Sequence, residues 1–155
     1  MKSLSVRLGV ILFIIGLIIS GNIEVWGADW RAYYEDDNGF FYYDAEFISG
    51  HPKSIVRVWE KMILKEERRD LVIVRLRKSG FPINENDELD YILELYQINC
   101  VDKEFRLLSH GYYDKKGKVL YSFPGEVRRD LVIEPQWFEI PSNSQPEKLY
   151  KAVCE

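Results

Sequence analysis

Two cysteines, two histidines and an abundance of carboxylates are the residues of this chain best suited to chemistry. Zinc sites draw their ligands from close pairs such as CxxC, whereas Cys100, Cys154, His51 and His110 all lie far apart in sequence. Ser109 and His110 are neighbours, but on a strand adjacent side chains point to opposite faces, so they cannot serve each other as nucleophile and base. His51 falls in a predicted turn beside Pro52, and both histidines read as surface or pocket-lining groups. Asp36-Asp37 and Glu66-Glu67 are short charge runs of the solvated kind, and paired acids for glycoside cleavage would need a cleft. No GxSxG, HExxH or P-loop pattern occurs, and no glycosylation acceptor. The residues therefore predict a binding protein with no catalytic group, no metal and no cofactor.

The elements that position these residues follow from alternation and turn signals. Trp30 to Tyr34 and Phe40 to Tyr43 flank Asp36-Asp37-Asn38-Gly39, a hairpin. After the turn Ser49-Gly50-His51-Pro52 comes the strand Ile55 to Leu64, with Ile55, Arg57, Trp59 and Lys61 on one face and Val56, Val58 and Met62 on the other. Tyr91 to Cys100, Glu104 to Tyr113 and Lys118 to Phe123 are joined by short turns, which makes an antiparallel meander of five or six strands and, with its helices, an α+β domain.

Two segments interrupt the strands. Lys65 to Lys78 ends in Arg75, Arg77 and Lys78 before Gly80 and Pro82, as a helix would, although Leu71-Val72-Ile73-Val74 also suits a strand. Ser144-Gln145-Pro146-Glu147 forms an N-cap signature, and Leu149, Tyr150, Val153 and Cys154 then share a helical face. The sequence Arg-Arg-Asp-Leu-Val-Ile occurs at 68–73 and again at 128–133, two copies that do not make a solenoid.

Length and composition bound the class. With 155 residues, 46% hydrophobic and 14% aromatic, the chain fits one ordered domain. Lys2 and Arg7 precede an uncharged run from Leu8 to Ile19, followed by Ser20 and Gly21, the layout of a secretory signal. That run spans roughly 18 Å as a helix, short of the ~30 Å of hydrocarbon a membrane helix must cross. Residues 1–28 thus read as a signal and 29–155 as the mature domain, starting near Asp29; an uncleaved anchor is the alternative. No cysteine follows the apolar core, which argues against a lipid-modified N-terminus. The net charge of −4 excludes the basic surface of a nucleic-acid binder.

Export decides between the readings of the cysteines. In an oxidising compartment the sole pair, Cys100 and Cys154, is expected to form a bridge closing a loop of about 54 residues. Ile92, Tyr96, Ile98 and Cys100 share one face of their strand, interrupted only by Glu94, so the bond would pin the final helix to that side. The other side would be left open, or covered by Lys65 to Lys78 or a second subunit. The aromatic doublets Tyr33-Tyr34, Phe40-Phe41, Tyr42-Tyr43 and Tyr112-Tyr113 would each send one ring to either face, which makes Tyr33, Tyr34, Tyr42, Tyr43, Tyr112 and Tyr113 a candidate binding surface.

Several runs resemble the bacterial surface-adhesin protein E family. They are Phe41-Tyr42-Tyr43-Asp44, Val56-Arg57-Val58-Trp59, Leu93 to Cys100, Phe105-Arg106-Leu107-Leu108, Tyr112 to Leu120 and Leu149 to Cys154, so the likeness spans most of 29–155. The resemblance implies an exported bacterial domain with a C-terminal helix tied to an antiparallel sheet by a disulfide, sometimes paired as a homodimer, whose founding member is an adhesin for host matrix and plasma proteins. The expected function is an envelope module at the periplasm or cell surface that binds a protein partner through a sheet face or edge. A periplasmic protein holding a small apolar ligand between sheet and helix is the alternative.

Overall fold

The computed structural model describes residues 27–50, 54–84, 86–123 and 136–155. Residues 1–26 of the segment read as a signal, the turn residues His51 and Pro52, and the second copy of the repeated hexapeptide lie outside them. Among these described residues, seven strands and two helices follow in chain order: β1 (Trp30–Glu35), β2 (Gly39–Asp44), β3 (Ile55–Leu64), α1 (Glu66–Lys78), β4 (Tyr91–Asn99), β5 (Glu104–Tyr113), β6 (Val119–Phe123), β7 (Phe138–Glu139) and α2 (Gln145–Cys154). The first six strands form an antiparallel meander in sequence order, as expected, and the two-residue β7 pairs with the start of β5.

Short polar side chains make the connections. The Asp36 carboxylate accepts from the backbone N–H of Asn38 at 2.7 Å and of Gly39 at 3.2 Å, closing the β1–β2 hairpin. Asp114 accepts from Lys116 and Lys118 N–H, each at 2.8 Å, while Gly117 takes φ 79°, a conformation that disfavours any Cβ.

Both helices pack on the same face. On β3 the residues of that face are Val56, Val58, Glu60, Met62 and Leu64. One core joins Val56, Val58 and Ile98 to Leu149, Tyr150 and Val153 of α2; the other joins Leu64 and Ile92 to Ile73 and Leu76 of α1, with Ile83 and Leu89. The Lys65 to Lys78 segment therefore does not cover the opposite face. Its buried stripe is narrow, Ile73 and Leu76, and the apolar end of the sheet it can match is Leu64 and Ile92, whereas the opposite face carries Arg57 and Lys61. The helix also settles the ambiguity of Leu71 to Val74. Glu66 and Glu67 at its start and Arg75, Arg77 and Lys78 at its end complement the helix dipole, and burial of Ile73 outweighs β-branched propensity.

The C-terminal helix is capped and clamped. Ser144 Oγ accepts from Glu147 N–H at 3.3 Å, and the Glu147 carboxylate accepts from Asn143 N–H at 2.8 Å. The Cys100–Cys154 disulfide holds the helix end to the sheet with a Cα–Cα distance of 5.7 Å, and Tyr150 Oη donates to the Cys100 carbonyl at 3.2 Å. Ser144→Ala is expected to cost about 1 kcal/mol, read as a lower denaturant midpoint with an unchanged slope. Among the described residues no helix is long and apolar enough to cross a membrane.

Candidate functional site

The two faces of the sheet offer different chemistry. On the covered face, the alternation that places Val56 and Val58 under α2 also places Glu60 there, and it is only 1% exposed. Register sets Glu60 opposite Glu94, and Glu94 opposite His110, so a row of ionisable groups crosses three strands. Tyr33 Oη donates to Glu60 Oε1, and the Gln145 amide of α2 donates to both. Tyr96 Oη donates to Glu94 Oε2 at 2.7 Å, and His110 Nδ1 lies 2.5 Å from Glu94 Oε1.

Two neighbouring carboxylates away from water cannot both ionise at neutral pH. Burial pushes the Glu60 carboxyl up to about 8 against the opposing hydrogen bond from Tyr33, and the charge of Glu94 pushes the same way as burial. Burial, reinforced by those carboxylates, likewise raises the Tyr33 and Tyr96 hydroxyls far above the ordinary tyrosine range. Glu60 thus keeps its proton at neutral pH, and the row reads as a satisfied polar seam between the cores. Tyr33→Phe removes a donor from it and is expected to lower stability by roughly 1 to 3 kcal/mol, measurable by urea unfolding at pH 7. No cluster of three or more metal-ligating side chains exists among the described residues.

The candidate tyrosines divide between the faces. Tyr43 packs against the α2 core and Tyr112 against the α1 core, which leaves Tyr42 and Tyr113 on the opposite face, as alternation requires. Phe41 is buried and Phe40 exposed in the same way. The Tyr33-Tyr34 doublet departs from that rule. A register shift between Ala32 and Tyr34 inserts a bulge, and both rings turn toward Phe41, with centroids 6.4 and 5.4 Å away.

Among the described residues no helix crosses the other face. Tyr91 and Tyr113 stack there 5.1 Å apart at 3°, and Lys61 Nζ sits 4.3 Å from the Tyr91 ring and 5.7 Å from the Trp30 ring. Phe47, 45% exposed, leans on Trp59 at 6.4 Å, and the Arg106 guanidinium lies 4.5 Å from the Trp137 ring. The positions of β3 and β4 on this face are Ile55, Arg57, Trp59, Lys61 and Ile63, and Tyr91, Leu93, Leu95, Gln97 and Asn99. They include two cations and no carboxylate, although the chain as a whole is acidic. Rings exposed on a surface offer contact area at low entropy cost, and cations beside them give that surface a charge preference.

Sequence reasoning passed over Glu60, which stands in the same alternation as Val56 and Val58 and was legible there. The open-face set of Trp30, Trp59 and Tyr91 carries no local signal, because its rings come from three strands and meet only through strand pairing.

The whole describes a disulfide-stapled sheet that buries one face under helices and presents rings and cations on the other. A model of the surface-adhesin protein E family matches residues 30–155, and the chain belongs to that family. Among solved structures, protein E from non-typeable Haemophilus influenzae aligns with a TM-score of 0.50 and 11% identity, over 87% of this chain and 80% of that one, a likeness of fold alone. No curated protein matches the chain.

Proposed function

We propose that this chain is an exported, non-enzymatic, adhesin-like module of the bacterial cell envelope that binds a protein partner through the open face of its sheet. Residues 1–28 act as the export signal, and 29–155 form the mature domain, at the cell surface or in the periplasm. Family membership supports the adhesin reading. The single observation that carries the choice of surface is the ring-rich, carboxylate-free centre of the face formed by β3 and β4. Tyr42 and Tyr113 keep the binding role proposed for the doublets, joined by Trp59 and Lys61.

The partner is a protein presenting acidic side chains, and host matrix or plasma proteins are the first class to test. Binding of the purified, oxidised mature chain to an immobilised panel of such proteins is expected to weaken as salt rises from 50 to 300 mM, because exposed cations are screened over about a Debye length. Arg57→Glu with Lys61→Glu should slow association at least tenfold, read by biolayer interferometry, without a change in far-UV circular dichroism. Scattering-detected gel filtration of the same sample distinguishes a foreign partner from a second copy of the chain. Protease shaving of intact cells separates surface from periplasm.

A further inference from the structure

Among the described residues β1 is an edge of the sheet, paired only with β2, and the start of an edge strand frays unless it is tied down. Three contacts tie Asp29, the residue before it. Its carbonyl accepts from Ala45 N–H at 2.9 Å, its carboxylate takes the Arg31 guanidinium at 2.7 Å, and its own N–H donates to Asp44 Oδ1 at 3.1 Å. Gly27 and Ala28, just upstream, are exposed.

Asp44 closes β2 opposite Trp30. With Glu60 it is one of the two buried carboxylates among the described residues, 7% exposed. It accepts from Asp29 N–H and from Glu46 N–H, both at 3.1 Å. Among the described residues no lysine, arginine or histidine pairs with it. Arg31 is already engaged by the Asp29 side chain through two nitrogens, at 2.7 and 3.0 Å. A space of about 380 Å³ opens beside Asp44, lined by Ala28, Asp44, Glu46 and Phe47, so its ionisable walls are carboxylates. Buried charges are paired as a rule, and a cation belongs at this one.

Export supplies the cation. Gly27 and Ala28 are both small enough to precede a signal-peptidase cut, and the contacts of Asp29 choose between them. Hydrolysis of the Ala28–Asp29 peptide bond consumes one water: Ala28 leaves with a carboxylate and Asp29 keeps an amine. A free α-amine titrates near about 8, so it is protonated at neutral pH. The nitrogen that already points at Asp44 then becomes an ammonium in the same place.

We propose that a signal peptidase cuts between Ala28 and Asp29 and that the new α-ammonium of Asp29 forms an ion pair with Asp44, locking the start of β1 only in the processed chain. The inference rests on residues 1–28 being the export signal. Trp30, the next residue, lies 5.7 Å from Lys61 Nζ on the open face, so processing also fixes one ring of the partner surface.

Mass analysis of the chain exported by bacteria carrying the full 155-residue sequence comes first. A product spanning 29–155 is expected. Retention of 1–28 would overturn the export reading and this proposal with it, whereas a cut at any other bond would overturn the ion pair alone. Three oxidised chains then isolate the charge: 29–155 with a free amine, the same chain acetylated at Asp29, and 28–155, whose amine sits one residue further out. The last two keep an N–H at Asp29 but no charge on it. Urea unfolding at pH 6.5 should give the free 29–155 chain an unfolding constant about fivefold smaller than either of the others, the margin of a charge-assisted over a neutral hydrogen bond. Asp44→Asn still accepts from both amides and should erase that margin; the comparison of the three chains decides the matter if this variant does not fold. Equal stability of the three chains, or an advantage of the free amine that survives Asp44→Asn, overturns the proposal.

Discussion

Replacing Cys154 with serine should lower the stability of the oxidised mature chain by about 4 kcal/mol, and its melting temperature by roughly 8 to 16 °C. The disulfide joins residues separated by 54 positions, and opening a loop of that size returns entropy to the unfolded chain on that scale. The fold has little to replace it with. Helix α2 has ten residues, too few to persist by itself, and its docking rests on Leu149, Tyr150 and Val153. Those side chains should keep it in place at low temperature but not through the original transition. Wild type in reductant should coincide with Cys154→Ser and with the Cys100→Ser/Cys154→Ser double variant, since all three delete the same tether. Urea unfolding with and without reductant makes the comparison. A loss below about 1 kcal/mol would show that packing alone holds the helix.

The second large effect concerns pH. Folded Glu60 retains its proton up to about 8, whereas the unfolded residue releases it near 4.5. Between those values the folded state binds the extra proton, so stability from this group is complete below pH 4.5 and is lost as pH rises toward 8, at about 1.4 kcal/mol per unit. Glu60→Gln imitates the protonated form. Its amide oxygen still accepts from Tyr33 and Gln145, and its amide N–H can donate toward Glu94 as the carboxyl proton would. Relative to wild type, the variant should gain stability as pH climbs from 5 to 8. Urea midpoints at pH 5, 6.5 and 8 give the answer. Parallel pH profiles for the two proteins would mean that Glu60 is ionised in the fold.

Most of the scaffold was legible because its causes are local. Turns at Asp36-Asn38-Gly39 and Asp114-Gly117 depend on side-chain oxygens and a glycine within a few residues, and period-two alternation then assigns faces. The cap at Ser144 and Glu147 is equally local. What could not be read is whatever depends on elements far apart in the chain. The placement of α1 beside α2 follows from where Leu64 and Ile92 leave an apolar end of the sheet. The Tyr33 bulge is set by pairing with β2, and it sends a ring expected at the surface into hydrogen bonds with Glu60 and Gln145. The cluster of Lys61, Trp30 and Tyr91 spans three segments and is invisible until register is known. Helix α1 illustrates the intermediate case: its dipole-matched charges were visible, but only burial of Ile73 and Leu76 chose helix over strand.

The central claim is that the open face makes the contact with another protein. The most direct measurement is the affinity of the mature chain, disulfide intact, for the best binder in a panel of matrix and plasma proteins, set beside the Trp59→Ala/Tyr113→Ala variant and a Ser144→Ala control. Loss of two rings from one desolvated patch should weaken binding by at least a hundredfold, while the control, altered only beneath the covered face, should bind as wild type does. Wild-type affinity in the ring-deleted variant, with its fold intact, would contradict the account.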